Sequence, residues 1–405
     1  MKLLVISPQP FFSPRGTPFS VYYRTLIESE LGLSVDLLTY GEGQDVEIEN
    51  LRIIRIPRFS CLGKVKVGPS LLKMFLDCFL VLWTLVLLIR NRYEIVHAHE
   101  EAVFWCCFLQ PIFRFRLIYD MHSSLPQQLT NFHFTRSRVL IGIFHWLEKT
   151  CLRHADAVIT ICPDLARYAL ELVKDRKRHF LIENCVLDPV KLKGSSEAAE
   201  HAQGEEEVRR LTAHLAESRK WVVYAGTLEP YQGIDILIDA FPFVLRRVPE
   251  AFLIVVGGTD SQVGACRAQA QSRGLEGHCL FAGRVSHHAA KRFNALASVL
   301  LSTRTEGTNT PLKVYEQLAS GIPVVATRIY SHTQVLTDEV AFLVDPNPKA
   351  MAQGICDALL SESERQIRSL RARELYENKY ARQVYVEKLR QLILLLREDK
   401  ISSNP

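Results

Sequence analysis

Residues 299–328 read "VLLSTRTEGTNTPLKVYEQLASGIPVVATR". Two apolar runs bracket a short polar loop that opens directly onto a helix. Local rules set that helix at about Leu312 to Ser320: Pro311 suits a first helical position, Gly321 suits the left-handed stop, and Thr308 or Thr310 can cap the free amides. A helix start exposes unpaired N–H groups and the positive end of the macrodipole. The loop from Gly307 to Thr310 is therefore shaped for an anion or a ring of hydroxyls, that is, a phosphate or a sugar.

Working outward, the same strand signal recurs along the whole chain. "KLLVIS", "SVDLLTY", "LRIIRIP", "EIVHAH", "RLIYDMH", "DAVITIC" and "HFLIEN" form one series; "KWVVYAG", "AFLIVVGG", "HCLFAGR", "SVLLST", "PVVATR" and "VAFLVD" form a second. Several are continuous apolar runs, the mark of strands buried on both faces, with helical stretches between them. Such alternation predicts α/β architecture with parallel sheets. Residues 191–217 are polar and charged with no strand, and set the domain boundary. The expected division is 1–190, 191–375 and a C-terminal helix and tail, 376–405, packing back toward the first domain. Two doubly wound sheets would face a central cleft, with ligands beyond the carboxyl ends of the strands.

Three polar clusters fall at those ends. The first holds Arg15, Gly16 and Thr17, before a helix starting near Pro18. The second holds His97, His99 and Glu100 in "VHAHEE", with Asp120 and His122 in "YDMHSS". The third joins the opening loop to "GTLEPYQGID", Gly226 to Asp235.

Composition narrows the partners. With 405 residues, 48% hydrophobic and 23% charged, the chain reads as a soluble globular protein of two domains. A net charge of +5 without a basic stripe argues against nucleic acid. The ten cysteines lack Cys-x-x-Cys spacing and mostly sit in apolar runs, as reduced core residues of a cytosolic protein do. The N-terminus offers no apolar run long enough for a signal peptide, so the expected location is cytoplasmic.

The first loop, "VHAH", "YAGTLEPYQGIDILIDAF", "LIVVGG" and "EGTNTPLKVYEQLASGIPVVAT" together resemble the group 1 glycosyltransferases, retaining GT-B enzymes that use nucleotide sugars. The resemblance implies two Rossmann-like domains and a Glu-x7-Glu pattern. Its second Glu, at Glu316, would hold the nucleotide ribose; the first, with amides of Thr308, Asn309, Thr310 and Leu312, would hold the sugar and diphosphate. Here the first Glu position falls on Thr308, and Glu306 stands two residues early. The Arg and Lys that the family places around the Gly226 turn correspond to the neutral Thr227 and Gln232. Arg15 and Arg304, each beside a phosphate-facing loop, are the substitutes expected. The resemblance gives His122 contact with the donor sugar, leaves His97, His99 and Glu100 on the acceptor side, and implies a glycan or lipid-linked acceptor. No Asp-x-Asp pair is present, so the expected chemistry needs no metal or other cofactor.

Other readings stay open. His97 and His99, spaced by two on one strand face, could ligate a metal with Asp120 or His122, as in a hydrolase. Lys313 and Glu316 could be only a surface ion pair. A sugar-nucleotide-binding protein that lost its basic phosphate pair is a third. "VVGGTD" lacks a full G-x-G-x-x-G, which disfavours hydride transfer. Lastly, "LLKMFLDCFLVLWTLVLLIRNRYEIV" is unusually apolar. It is either a helix buried in the first domain or one lying on an anionic membrane surface, with Lys64, Lys66, Lys73, Arg90 and Arg92 near headgroups.

Overall fold

The computed structural model of the protein describes residues 1–405 apart from 14–15, 59–62, 64, 66–69, 127–136, 184–189, 195–196, 217 and 403–405. It divides into two compact units, Met1–Gly194 with Arg382–Pro405, and Ser195–Ala381.

Each of the expected runs forms a strand. The first unit holds β1 (Lys2–Ser7), β2 (Ser34–Thr39), β3 (Leu51–Arg55), β4 (Ile95–His99), β5 (Arg116–Met121), β6 (Ala157–Thr160) and β7 (His179–Leu181), in the order β3-β2-β1-β4-β5-β6-β7. All its pairings are parallel. The described helices between these strands are α1 (Gly16–Glu30), α2 (Leu71–Arg90), α3 (Ala102–Phe113), α4 (Arg138–His154) and α5 (Pro163–Leu170). Strand alternation sorts the core into two layers. Leu4, Ile6, Val96, Ala98, Leu117 and Tyr119 meet the buried stripes of α2 to α5. Leu3, Val5, Leu37, Ile95 and Ile118 meet α1 on the other face. His97 and His99 have the parity of Ile95 and so face α1.

The second unit holds β8 (Lys220–Ala225), β9 (Ala251–Val256), β10 (Cys279–Gly283), β11 (Val299–Ser302), β12 (Val324–Thr327) and β13 (Phe342–Val344), in the order β10-β9-β8-β11-β12-β13. These too pair parallel. Its helices are α6 (Glu197–Thr212), α7 (Ile234–Arg247), α8 (Asp260–Ser272), α9 (His287–Ala295), α10 (Leu312–Ser320), α11 (Tyr330–Thr333), α12 (Pro348–Leu360) and α13 (Glu362–Lys379). Strand order reverses between β1 and β4 and again between β8 and β11. Those are the switch points where such sheets bind ligands.

The segment 191–217 is more structured than a linker. Its α6 packs Val208 into a core with Phe293 of α9, and Glu207 accepts from the Ser286 amide and hydroxyl at 3.1 and 2.8 Å. The last helix, α14 (Arg382–Ser402), belongs to the first unit. Leu389, Leu392, Ile393 and Leu396 are buried against the α1 side of the sheet, each contributing about 1.5–3 kcal/mol. Arg382 also donates to both Glu30 oxygens at 2.6 Å.

Candidate active site

In the first unit, β4 and β5 deliver a buried ion network at their carboxyl ends. The His97 and His99 rings stack 4.5 Å apart. His97 Nδ1 lies 2.5 Å from Glu28 Oε1, and its Nε2 lies 3.3 Å from Asp120 Oδ2. Arg24 Nε donates to the same Asp120 oxygen at 2.9 Å, and its Nη2 donates to the Ile182 carbonyl at 2.7 Å. Burial opposes the charge on His97, but the Glu28 and Asp120 carboxylates overcome it and raise the pKa to about 9. Against the same burial, Arg24 and the histidines hold Asp120 well below the usual carboxylate range.

His99 Nδ1 lies 3.0 Å from His122 Nε2, which is 3.5 Å from Asp120 Oδ1. Burial pushes His99 well below its ordinary value and His122 down to about 4. Both are therefore neutral imidazoles at neutral pH. His97, His99 and Asp120 do gather their ligand atoms within 4.8 Å. Yet His97 has a carboxylate at each nitrogen and Asp120 is bound to Arg24, so a metal ion would have to displace a guanidinium and an imidazolium proton. The donor set does not fit a metal, and the hydrolase reading loses its support. Glu100, at φ 49°, follows β4; burial first, then Glu101, raises its pKa to about 7.

In the second unit, three loops press together at the carboxyl ends of β8, β9 and β11. Gly257 has φ 114°, and a Cβ there would lie 1.9 Å from the Gly226 carbonyl, so only glycine fits. Thr303 Oγ1 donates to Gln232 O at 2.6 Å, and the Thr305 amide to Tyr231 O at 2.8 Å. The Tyr224 hydroxyl lies 2.7 Å from Thr227 O and 3.1 Å from Gln232 Oε1. Thr227 and Gln232 thus belong to a neutral, internally bonded group. Arg304 stacks on Tyr231 with 5.1 Å to the ring centroid and donates to Asn309 O at 3.0 Å. Beneath the loop, buried His332 takes part in hydrogen bonds with the Ser302 hydroxyl and the Thr327 carbonyl, both at 2.8 Å.

Helix α10 spans the expected residues, and Gly321 closes it at φ 71°. Its start differs from expectation. Pro311 is the N-cap residue, and no side chain caps the amides. Thr308 and Thr310 therefore leave the helix end bare, with the Thr310 hydroxyl buried and unpartnered. The Lys313–Glu316 surface pair is also corrected. Lys313 Nζ is buried without a hydrogen-bond partner, 3.8 Å from the Tyr224 ring centroid. Burial, then Arg304, lowers its pKa to about 7, and burial raises that of Glu316.

Residues 205–375 match the family model of glycosyl transferases group 1, and residues 26–185 that of the glycosyl transferase 4-like domain. The chain belongs to the group 1 glycosyltransferases. It is 28% identical over 376 residues to the phosphatidyl-myo-inositol mannosyltransferase of Mycobacterium tuberculosis, covering 91% of this chain and 89% of that one. Among solved structures it is similar to sucrose-phosphate synthase from Thermosynechococcus elongatus (TM-score 0.71, 19% identity, 98% and 99% of the two chains covered). It is also similar to Anabaena HepE in complex with UDP and glucose (TM-score 0.66, 16% identity, 100% of both chains). The fold of this group 1 glycosyltransferase is GT-B.

Within it, His97, His99, Glu100 and His122 collect in the first unit; Gly226, Thr227, Gln232, Arg304, Thr308, Asn309, Thr310, Leu312 and Glu316 collect in the second. Glu306 is exposed on the loop before α10. Gly16 and Thr17 open α1, while Arg15 lies outside the described residues. Sequence reasoning missed Lys313 as more than a pairing partner, Arg24 and Glu28 in α1, and His332. A charged residue at Arg24 and Glu28, four apart and inside a helix expected to be covered, was the available signal.

Proposed function

We propose that this glycosyltransferase moves a sugar from a nucleoside-diphosphate sugar to a lipid-linked or glycan acceptor, with retention at the anomeric carbon. One observation carries the reading: the N-terminus of α10 is bare of any side-chain cap, and Glu316 stands half-buried in the same helix. Free amides and a helix dipole suit phosphate oxygens, and a carboxylate suits the paired hydroxyls of a ribose. The mycobacterial relative is named for a phosphatidylinositol acceptor, and HepE was solved with UDP and glucose. Both agree with this donor and acceptor chemistry.

Departure of the diphosphate is the hard step, because negative charge builds on it while the sugar becomes oxocarbenium-like. Preorganised donors in the α10 loop stabilise that charge, and the protein's own cations allow it without a metal. The departing diphosphate then takes the acceptor's proton on the same face. Arg24 and the protonated His97 hold Asp120, which in turn orients the neutral His99 and His122.

The acceptor is reached at a membrane surface by peripheral attachment. Helix α2 is long and apolar enough to cross a bilayer, but Leu76, Leu80, Leu87 and Leu88 bury one stripe of it on the sheet. Spanning would separate β3 from β4, which lie in one sheet. Its outer side exposes Leu71, Met74, Phe75, Leu82 and Ile89. The neighbouring α3 and α4, on the same sheet face, add Phe108, Ile112, Val139, Ile143 and Trp146. Exposed Arg90, Arg92, Arg114, Arg138 and Lys149 supply charge for anionic headgroups. Lys73 does not serve there, since it pairs with Glu101 at 2.8 Å, and Lys64 and Lys66 lie outside the described residues.

Incubating the protein with radiolabelled UDP- and GDP-sugars and a phospholipid extract tests the reading. Label entering the organic phase, with the donor's anomeric configuration kept in the product, supports it. Label in water-soluble products alone removes the lipid acceptor, and an inverted product removes retention.

A further inference from the structure

We infer that Lys313 is the cation that receives the donor's diphosphate, reaching it from the first turn of α10 instead of from the glycine loop after β8. The assignment rests on the nucleotide-sugar reading above and names the group that neutralises the phosphates.

The argument begins with unmet donors. An ammonium has three N–H bonds and no acceptor capacity, and Lys313 Nζ is buried with no acceptor for any of them. Its neighbour Arg304 keeps a buried Nε without a partner, and the Thr310 hydroxyl is likewise buried and unpartnered. The amides at the start of α10 have no side-chain cap. Four kinds of donor thus converge on one short stretch. Among the described residues no carboxylate hydrogen-bonds or ion-pairs with Lys313, and Glu316, one turn on in the same helix, acts on it only as a nearby charge. Such a set of donors suits an anion with several acceptor oxygens, which is what a diphosphate presents.

The position of the ammonium is equally specific. It stands 3.8 Å from the centroid of the Tyr224 ring, whose hydroxyl is tied to Thr227 and Gln232. A Cβ added at Gly226 would come within 3.4 Å of it. Lys313 therefore brings a positive charge to the very loop whose own side chains, Thr227 and Gln232, carry none. A lysine serving the surface would carry its nitrogen out to solvent, whereas this one buries it against the face of the Tyr224 ring.

The test compares nucleoside diphosphates with monophosphates by calorimetric titration of UDP, UMP, GDP and GMP into wild type, Lys313→Met and Glu316→Gln. Wild type should bind one diphosphate more tightly than its monophosphate. Lys313→Met should weaken the diphosphate by about 10- to 100-fold and leave the monophosphate nearly unchanged, whereas Glu316→Gln should weaken both alike. Its melting temperature should hold or rise, because methionine removes an unpaired buried charge. Lys313→Gln gives the same readout should the methionine variant not fold. A folded variant that keeps the wild-type preference for the diphosphate overturns the assignment while leaving the donor reading intact. Failure of wild type to bind either diphosphate overturns both.

Discussion

Replacing His97 with glutamine should remove a pH-dependent part of the first unit's stability. His97 holds its proton between Glu28 and Asp120, with a pKa of about 9 against an ordinary 6.5. The displacement amounts to ~3 kcal/mol, taking about 1.4 kcal/mol per tenfold change in proton affinity. The sign follows from a raised value. An unfolded chain gives up this proton near pH 6.5, while the folded protein keeps it until about pH 9. The contribution is whole below pH 6.5 and is lost as pH rises to 9. Glutamine cannot carry the charge, and Asp120 keeps Arg24 in the variant, so Asp120 stays ionised throughout that window. Urea unfolding at about pH 6, 7.5 and 9 should give a wild-type advantage that shrinks by ~3 kcal/mol across the series, at equal denaturant slopes. Parallel stability profiles for the two proteins would refute the buried imidazolium and the network built around it.

Glu316→Gln should weaken nucleotide affinity by about 10- to 100-fold and change turnover of bound donor much less, because an amide reproduces only part of the bonding a carboxylate offers two ribose hydroxyls. Titration and single-turnover kinetics separate the two effects. His122→Ala should cut transfer strongly while leaving UDP or GDP affinity near wild type, since the residues proposed to hold the nucleotide lie in the other unit; unchanged transfer by a folded variant returns His122 to a structural role. Flotation with anionic vesicles should show binding at low salt that fades at high salt, and that is lost in Phe108→Glu with Trp146→Glu. Binding untouched by those changes would mean another surface meets the lipid.

The strands were legible because each buried strand is a continuous Val/Ile/Leu run between polar turns, a pattern that survives without tertiary information. Helix α10 was legible at both ends for a different reason, since Pro311 and Gly321 act through their own backbones. What local rules could not supply was the direction of side chains. Thr308 and Thr310 have capping chemistry, but the loop is drawn elsewhere by Arg304 on Asn309 O and by Gln334 on Thr308 O. Lys313 and Glu316 have the spacing of an ion pair, yet the lysine turns to Tyr224, a residue 89 positions earlier that only the folded sheet brings near. The outward apolar face of α3 was hidden for the same reason. "VFWCCFLQP" reads as core throughout, and only the fold tells buried Cys106 from exposed Phe108.

The central claim is that this chain spends nucleoside-diphosphate sugars. It is tested most directly by measuring nucleoside diphosphate released from a panel of nucleotide sugars in the presence of phospholipid vesicles, with and without a chelator. The account predicts release from one donor class, undiminished by chelator and lost in Lys313→Met. Chelator-abolished release would contradict the metal-free mechanism, and the absence of release from every donor would contradict the function itself.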